Sequence, residues 1–302
     1  MQYSKSVKDF LDFCLHQRGL SKGTVKAYDI DLNQFNEFMR ENKNWCSKEN
    51  LTGYISYLHN KYKPKSAKRK IATLKAFYNF LEYEEIIEVN PFSKIKLKYR
   101  EPVVLPKTID LSDIEKILVY AHSQTQYITS KYQYEVDLRS VAILELLFAT
   151  GARISELCSL KVRDVNLKEK YIKIYGKGAK ERVISIPNPQ VIKALRKYAE
   201  LNSKEGDEYF FTNRLKNRYS EQSARNMITK YIKECGINYH ITPHMFRHSF
   251  ATYLLDNDVD IRYIQHLLGH SSIATTQIYT HISNTKEKSI LSKKHPRNKF
   301  KA

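Results

Sequence analysis

Apolar residues recur at helical spacing along the N-terminal part of the chain. Four stripes can be traced there, and each would gather its apolar side chains on one face of a helix. Ser21, a residue type that caps helix N-termini, precedes the second stripe, and Asn90-Pro91 stops the pattern. The stripes are Val7, Phe10, Leu11 and Cys14; Val25, Tyr28, Leu32, Phe35 and Met39; Leu51, Tyr54, Ile55 and Leu58; and Ala67, Ile71, Leu74, Tyr78 and Leu81. They predict an all-helical domain over residues 1–92.

Residues 93–107 differ from both flanks and read S-K-I-K-L-K-Y-R-E-P-V-V-L-P-K. Two prolines and alternating lysines are typical of a tether, because neither favours pairing into a sheet. This segment is therefore predicted to be a basic linker between two domains.

The pattern of residues 108–302 is mixed. Ser112 and Glu115 have capping-box spacing, which predicts a helix start. Residues 122–137 are polar and aperiodic, which indicates a surface loop or a helix extension. Residues 138–149 are apolar but fewer than the roughly 18 that cross a bilayer, so they predict a buried helix. That helix should break at Thr150-Gly151.

A β-hairpin is predicted next. Segments 171–175 and 182–186 alternate apolar and polar residues around a glycine-bearing turn. Lys177 would lie at or near the tip of this hairpin. Amphipathic patterns over 191–201 and 225–235 add further helices. The fold class expected is a mainly α protein of two domains, the second α+β with a small antiparallel sheet.

Six of the ten histidines fall between His240 and His281. Thr242-Pro243 predicts a helix start with a capping hydroxyl. His244 and Arg247 would share one face near that N-terminus, where the backbone N–H groups favour an anion. A second helix is predicted over 260–268, ending at Gly269. The segment therefore indicates a site for something negatively charged.

Composition indicates that the anion is large. The chain has 302 residues, and 51 Lys and Arg against 32 Asp and Glu give a net charge of +19. Nucleic acid is the usual partner of a charge of that size. The four cysteines are scattered, which favours reduced thiols in a cytoplasm. The sequence predicts neither a membrane span nor a signal peptide.

The densest run of basic residues is K-Y-K-P-K-S-A-K-R-K at 61–70. It is either a solvated loop or a surface that contacts phosphates, and the overall charge favours phosphate contact. The candidate DNA-binding residues here and in the linker are Lys61, Lys63, Lys65, Lys68, Arg69, Lys70, Lys94, Lys96 and Lys98.

Arg153 and Glu156 lie three residues apart after the predicted buried helix and would share a helical face. Taken alone, the pair is more typical of an ordinary surface ion pair than of a functional site.

Five motifs occur in a fixed order along the second domain. They are T-G-A-R-I-S-E-L with Arg153, G-K-G-A-K-E-R with Lys177, H-M-F-R at 244–247, L-L-G-H ending at His270, and T-T-Q-I-Y-T-H around Tyr279. Together they strongly resemble the tyrosine recombinases of the phage integrase family, particularly the short Xer-like members. The resemblance covers essentially the whole chain. It implies a SAM-like core-binding DNA-binding domain over 1–92, a linker over 93–107, and a catalytic domain over 108–302 whose C-terminal tail docks on a neighbouring protomer.

The resemblance implies a site-specific DNA recombinase. Tyr279 would attack phosphorus to leave a 3′-phosphotyrosine and a free 5′-hydroxyl. Lys177 would protonate the leaving oxygen or hold it electrostatically. Rejoining would need no ATP, because the phosphotyrosine keeps the bond energy.

The remaining motif residues would stabilise the added negative charge on phosphorus. Arg153 and Arg247 are the implied clamps for the non-bridging oxygens. His270 and His244 would add hydrogen bonds and assist proton movement, and Glu156 would orient its neighbours. Because these side chains supply the positive charge, no metal and no other cofactor is expected.

The implied partner is double-stranded DNA with inverted-repeat core sites. A homotetramer on two sites is expected, with or without a partner recombinase or accessory factor. The biological task could be integration and excision of a mobile element, resolution of chromosome dimers or inversion of a promoter, in the cytoplasm at the nucleoid.

Three alternatives stay open. His240, His244 and His248 recur every four residues near Cys235, as a metal site would, although no H-E-x-x-H is completed and Arg247 would repel a dication. Residues 260–281 could be the helix-turn-helix of a non-catalytic regulator. A type IB topoisomerase would share the tyrosine chemistry without pairing two sites.

Overall fold

The computed structural model describes residues 3–39, 44–96, 107–127, 130–176, 181–202 and 208–269. The chain divides into two compact units, Met1–Val103 and Val104–Ala302. Within the described ranges, no helix combines the length and the apolar character that crossing a membrane requires.

The first unit is helical. Helix α1 continues into a π-helical turn, Phe13–Gln17, and a short 3₁₀ turn, Pro91–Lys94, follows the last helix. The helices are α1 Tyr3–Asp12, α2 Lys22–Met39, α3 Lys48–Lys61 and α4 Pro64–Tyr83. As predicted, Ser21 caps α2, with its Oγ accepting from the Thr24 amide at 3.2 Å. Asn90-Pro91 was expected to end the helical run, but α4 already ends at Tyr83 and Asn90 instead caps the 3₁₀ turn.

The core of the first unit is rich in aromatic rings. The four predicted stripes lie against one another, and most of their residues are buried. Phe10 packs edge-on against Phe77 with ring centroids 5.4 Å apart, and Phe35 packs in the same way against Tyr54 at 4.9 Å. The Tyr78 hydroxyl is satisfied because it donates to the Trp45 carbonyl. Edge-to-face packing of this kind adds stability beyond the area that is buried.

A buried ionic cluster joins α2 to the start of α4. Asp31, which is 1% exposed, accepts from the Lys70 ammonium at 2.9 Å and from the Thr73 hydroxyl at 2.9 Å. The Arg69 guanidinium donates to the same carboxylate at 2.8 Å. The run at 61–70 is therefore not a solvated loop, because residues from Pro64 onward form the first turns of α4.

The second unit combines helices with a small sheet. Strands β1 Val165–Asn166, β2 Tyr171–Tyr175 and β3 Glu181–Ser185 form an antiparallel sheet in the order β1-β2-β3. The β2–β3 register pairs Tyr171 with Ser185. The helices are α5 Leu111–Gln124, α6 Lys131–Thr150, α7 Ile154–Cys158, α8 Pro189–Asn202, α9 Glu221–Glu234, α10 Pro243–Asp256 and α11 Ile261–Leu268.

Helix α6 lies at the centre of this unit. Its apolar run is buried as predicted, and it ends at Gly151, which adopts the left-handed conformation with φ 58°. A Cβ at Gly151 would lie 2.5 Å from Cδ1 of Phe250, so both the backbone and the packing require glycine there. This close approach brings the end of α6 against α10.

One prediction near α5 is corrected and another is confirmed. The helix begins at Leu111 after Asp110, so Ser112 and Glu115 do not form a capping box. Residues 122–137 were expected to form a surface loop or a helix extension, and the helix extension is confirmed: α5 extends to Gln124, and α6 already begins at Lys131 with Ser130 as its cap.

Replacing Asp31 should destabilise the first unit, because the buried Lys70 ammonium would lose its counter-ion. Removing one partner of a buried pair costs about 3–5 kcal/mol. We expect Asp31→Ala to lower the free energy of unfolding by that amount in urea titrations. Glu37→Ala, which alters an exposed acid of the same helix, is the matched control and should change it by less than about 0.5 kcal/mol. Equal effects of the two substitutions would contradict the assignment.

Candidate active site

Arg153 and Glu156 bracket the N-terminus of α7. Arg153 is the extended residue before the helix, and Glu156 occupies its first turn. The Glu156 carboxylate accepts from the Arg153 amide and from the Arg153 Nη1, both at 2.8 Å. The predicted shared helical face is therefore wrong, because Arg153 precedes the helix. Its side chain remains 35% exposed and is accessible to a ligand.

A second arginine holds Glu156 from the opposite side. Arg182 of β3 donates from Nη2 to the Glu156 Oε2 at 2.7 Å and from Nη1 to Oε1 at 3.1 Å. Both residues are buried, with 8% exposure for Glu156 and 6% for Arg182. Burial alone would raise the pKa of Glu156, but hydrogen bonds and charges from Arg182 and Arg153 hold it below its usual value. Glu156 therefore stays ionised between two guanidinium groups.

Arg247 lies on α10 and is 3% exposed. Its guanidinium donates to the Gly151 carbonyl at 2.8 Å and to the Leu268 carbonyl at 2.7 Å. Helix α10 begins at Pro243 as predicted, but the Thr242 hydroxyl makes no capping hydrogen bond, so that part of the prediction is wrong. Arg247 thus connects the end of α6 with the end of α11.

The last turn of α11 is held by both buried arginines. Arg182 Nε donates to the Leu267 carbonyl at 2.8 Å, next to the Leu268 carbonyl that Arg247 holds. Carbonyls at a helix C-terminus lack partners within the helix and carry partial negative charge, so cations there are favourable. Gly269 then ends the helix with φ 63°, as the sequence predicts.

His244 lies beside these cations, exposed on the first turn of α10. Partial desolvation and the positive charges of Arg247, Arg153 and Arg225 lower its pKa below the usual value. Arg247 lies one turn after His244 on α10 and donates to the carbonyl of Gly151, two residues before Arg153, so the structure brings Arg153, Arg247 and His244 together. At neutral pH the imidazole is accordingly neutral.

The other predicted catalytic residues lie outside the described ranges. These are Lys177, His270 and Tyr279. The strands that precede and follow Lys177 in the sequence are described, and so is helix α11, which ends two residues before His270.

The predicted DNA-binding residues differ in their surroundings. Lys70 is 4% exposed and bound to Asp31, so it does not present its charge at the surface, contrary to the prediction. Arg69 shares the same carboxylate, although half of its side chain is exposed. Lys98 lies outside the described residues. The exposed members are Lys61, Lys63, Lys65, Lys68, Lys94 and Lys96.

The residues of this site that sequence reasoning missed are Arg182 and Arg225. Arg182 has the same place in the alternating pattern as Ile184 and Ile186, which are both buried. An arginine at an inward strand position needs a buried partner, and this pattern could have revealed it. Arg225 is exposed on α9 beside Glu221, at 2.9 Å, and looks like an ordinary helix-surface pair in the sequence.

The metal-site alternative gains no support from the part of the chain that the structure describes. In that part, no three His, Cys, Asp or Glu side chains come together in a group that could hold a metal ion. His240, His244, His248 and Cys235 are all among the described residues.

Sequence comparison gives the family. Residues 107–286 match the model of the phage integrase family, and residues 7–85 match that of the phage integrase N-terminal SAM-like domain. The chain is 50% identical over 297 residues to a tyrosine recombinase of Agathobacter rectalis, with 97% of each chain covered. It is 35% identical to the tyrosine recombinase XerD of Listeria monocytogenes, covering 96% of this chain and 98% of that one.

The chain belongs to the phage integrase family. It is a site-specific DNA recombinase of the tyrosine class, which confirms the sequence-based prediction, and neither the regulator nor the topoisomerase alternative is favoured. A solved structure of the XerH site-specific recombinase bound to palindromic difH substrate matches with a TM-score of 0.75 at 22% identity. That match covers 95% of this chain and 84% of the other, and it confirms the predicted integrase fold.

Acid should destabilise the second unit through His248. Burial, His244 and Arg247 lower the pKa of His248 from 6.5 to about 4. As the pH falls through that window, the unfolded chain takes up a proton that the folded chain does not, so the free energy of unfolding decreases. The loss from this group reaches about 3 kcal/mol. It can be measured by urea unfolding at neutral pH and near the lower pKa.

Two variants separate His248 from other acid-sensitive groups. His248→Asn should lose less stability on acidification than the parent chain does. His240→Asn, which alters an exposed histidine just before α10, should lose as much as the parent. An unchanged pH dependence in His248→Asn would contradict the attribution.

Proposed function

We propose that the second unit cleaves and rejoins DNA by transesterification at phosphorus. Tyr279 attacks the scissile phosphate, forming a bond from its phenolic oxygen to phosphorus while the bond to the 5′ oxygen breaks. The products are a 3′-phosphotyrosine and a free 5′-hydroxyl, and attack by a 5′-hydroxyl reverses the step. The observation that carries the proposal is the convergence of three residues on one site: Arg247 lies one turn after His244 on α10, and its guanidinium donates to the carbonyl of Gly151, two residues before Arg153.

The arginines stabilise the charge that develops on phosphorus. In the pentacoordinate arrangement the non-bridging oxygens gain negative charge, and preorganised cations lower its energy. Arg153 is exposed and oriented by Glu156, so its guanidinium can contact those oxygens directly. Arg247 is held by two backbone carbonyls, so it contributes a positive charge whose position is fixed.

His244 and His270 move protons or donate hydrogen bonds. The lowered pKa of His244 supports this role, because a neutral imidazole can both accept and donate a proton near neutral pH. His270 directly follows Gly269, at the end of the helix that Arg182 and Arg247 hold.

Lys177 is assigned as the group that protonates the leaving 5′ oxygen or holds it electrostatically. Its support is its position between two well-defined strands, since β2 ends at Tyr175 and β3 begins at Glu181. A lysine on such a short connection can reach a bound duplex while its strands stay in the core. Glu156 orients Arg153 and takes no part in proton transfer, because its lowered pKa keeps it ionised.

Residues 1–92 are proposed to form a DNA-binding domain, and residues 93–107 to link it to the catalytic domain. Residues 108–302 are proposed to form that catalytic domain, whose C-terminal tail is exchanged with a neighbouring protomer. The exposed Lys63, Lys65 and Lys68 surround the N-terminus of α4. Cations there are repelled by the positive end of the helix dipole, so their clustering costs stability unless an anion binds. DNA phosphates supply that anion. Lys61, Lys94, Lys96 and Lys98 extend the proposed surface, Arg69 borders it, and Lys70 is left out because it is buried.

The proposed substrate is double-stranded DNA with inverted-repeat core sites. The XerH relative was solved on a palindromic substrate, and a palindrome offers equivalent half-sites to two copies of a protein. Two such sites would bring four copies together, with or without a partner recombinase or accessory factor, in the cytoplasm. Sequencing the crossover product distinguishes element integration or excision from resolution of chromosome dimers.

Tyr279→Phe should abolish covalent attachment to DNA without abolishing binding, because only the nucleophilic oxygen is removed. The substrate is a nicked duplex whose sequence is recovered by selecting a randomised library for binding to the full chain. The measurement is the protein–DNA adduct that survives denaturation. Tyr263→Phe, on an exposed tyrosine of α11, is the matched control and should form the adduct at the parental rate. An adduct at the parental level in Tyr279→Phe would refute the assignment.

Neutralising Lys65 and Lys68 together should weaken DNA binding and flatten its salt dependence. Each lost phosphate contact lowers the slope of log K against log salt by about 0.9, so the pair should lower it by about 2. Fluorescence anisotropy over a range of salt concentrations measures the slope. Lys5→Ala/Lys8→Ala, which alters two exposed lysines of α1, is the matched control. If both pairs lower the slope equally, the surface at α4 has no special role.

A further inference from the structure

Arg182 joins three segments that carry the proposed catalytic residues. It lies on β3, five residues after Lys177 in the sequence; it binds Glu156, which orients Arg153; and it holds the Leu267 carbonyl, three residues before His270. We propose that Arg182 is a positioning residue of the recombinase reaction, which prevents Glu156 from fully compensating the charge of the Arg153 guanidinium and keeps that group oriented toward the scissile phosphate. This inference rests on the proposed function.

Charge balance is the first argument. Glu156 Oε1 accepts from both Arg153 and Arg182, so one carboxylate is shared between two guanidinium groups. Two positive charges and one negative charge leave the cluster with a net charge of +1. Without Arg182, the charges of Glu156 and Arg153 would cancel. The phosphate would then meet a neutral ion pair instead of a net positive charge. Arg182 therefore preserves the positive charge at the surface of the site.

Stability alone does not explain the pair. Burying two ions costs solvation free energy, and well-packed apolar residues of similar volume often give equal or greater stability. Arg182 and Glu156 are both nearly inaccessible, so they bear that cost in full. The geometry of the pair instead orients Glu156, because the two parallel donors of Arg182 fix the plane of its carboxylate. The fixed carboxylate then receives the Arg153 amide and side chain in one orientation.

The contact with α11 is the second argument. Nε of Arg182 reaches the Leu267 carbonyl, and a Cβ at position 269 would lie only 2.9 Å from its Nη1. Gly269 is thus required both by its left-handed backbone and by the closeness of this guanidinium. The arginine that shares charge with Arg153 therefore also fixes the last turn of α11. Its loss would disturb two parts of the site at once.

The experiment uses the full chain and the selected nicked duplex described above. Arg182→Gln removes the positive charge and keeps some hydrogen bonding. Arg182→Lys keeps the charge but loses the two parallel guanidinium donors. The readouts are the melting temperature, the Kd for DNA and the single-turnover rate of adduct formation. We expect Arg182→Gln to keep its Kd and to form the adduct at least about 100-fold more slowly, as when an electrostatic contact with the reacting group is lost. Arg182→Lys should recover part of that rate.

A double variant separates positioning from a structural role. In Glu156→Gln/Arg182→Gln the carboxylate charge is gone, so Arg153 is again uncompensated. The double variant should cleave faster than Arg182→Gln alone, a non-additive result that simple destabilisation does not produce. Arg139→Gln is the matched control, because Arg139 belongs to the same unit and donates to the Thr212 carbonyl instead. Arg139→Gln should lower the melting temperature and leave the rate of cleavage unchanged.

A measurement without DNA keeps the inference testable by itself. The pKa of His244, followed by NMR, should rise in Arg182→Gln because the Glu156 charge is then balanced by Arg153 alone, and it should return toward the parental value in the double variant. An unchanged pKa, a parental cleavage rate in folded Arg182→Gln, or a double variant no faster than the single one would each overturn the proposal. Absence of any adduct from the parent chain would instead refute the proposed function, leaving the His244 result to decide the role of Arg182.

Discussion

Two buried arginines hold the C-terminal carbonyls of α11, and the geometry of the candidate site depends on those contacts. Arg247 joins the Leu268 carbonyl to Gly151 at the end of α6, and Arg182 joins the Leu267 carbonyl to Glu156. Carbonyls at a helix end are left without partners inside the helix, so each guanidinium satisfies a polar group that would otherwise be buried at a cost. Five elements are joined in this way around one cluster: α6, α7, β3, α10 and α11.

The same contacts explain why the site can concentrate positive charge. Guanidinium groups repel one another, and their repulsion is tolerated here because carbonyl dipoles and one carboxylate lie between them. Burial lowers the pKa values of His244 and His248, and the positive charges beside them lower these values further. An anionic phosphate entering this environment would relieve part of the repulsion, which is the electrostatic basis of preorganised catalysis. Stability and function therefore oppose each other at this end of the unit.

Much of the fold was predictable because local patterns agreed with tertiary packing. The four apolar stripes, the buried helix ending at Gly151, the β2–β3 pair and the end of α11 at Gly269 were each predicted and found. Two of the predictions that failed concerned single capping side chains. Ser112 and Thr242 are residue types that cap helices, yet neither hydroxyl does so. Capping is decided by the local geometry of the chain as it enters the helix, and residue type only favours it.

The sequence by itself determined the helical character of the first unit, the order of the motifs and the family, because these depend on periodicity and residue identity along the chain. Only the tertiary structure decided which charges are buried. Lys70 and Lys68 are alike in the sequence, but Asp31 of a different helix draws one of them into the core. Arg182 likewise acquires its partners from α7 and α11. The electrostatic role of a side chain depends on neighbours that folding brings from distant positions, and these cannot be read from local pattern.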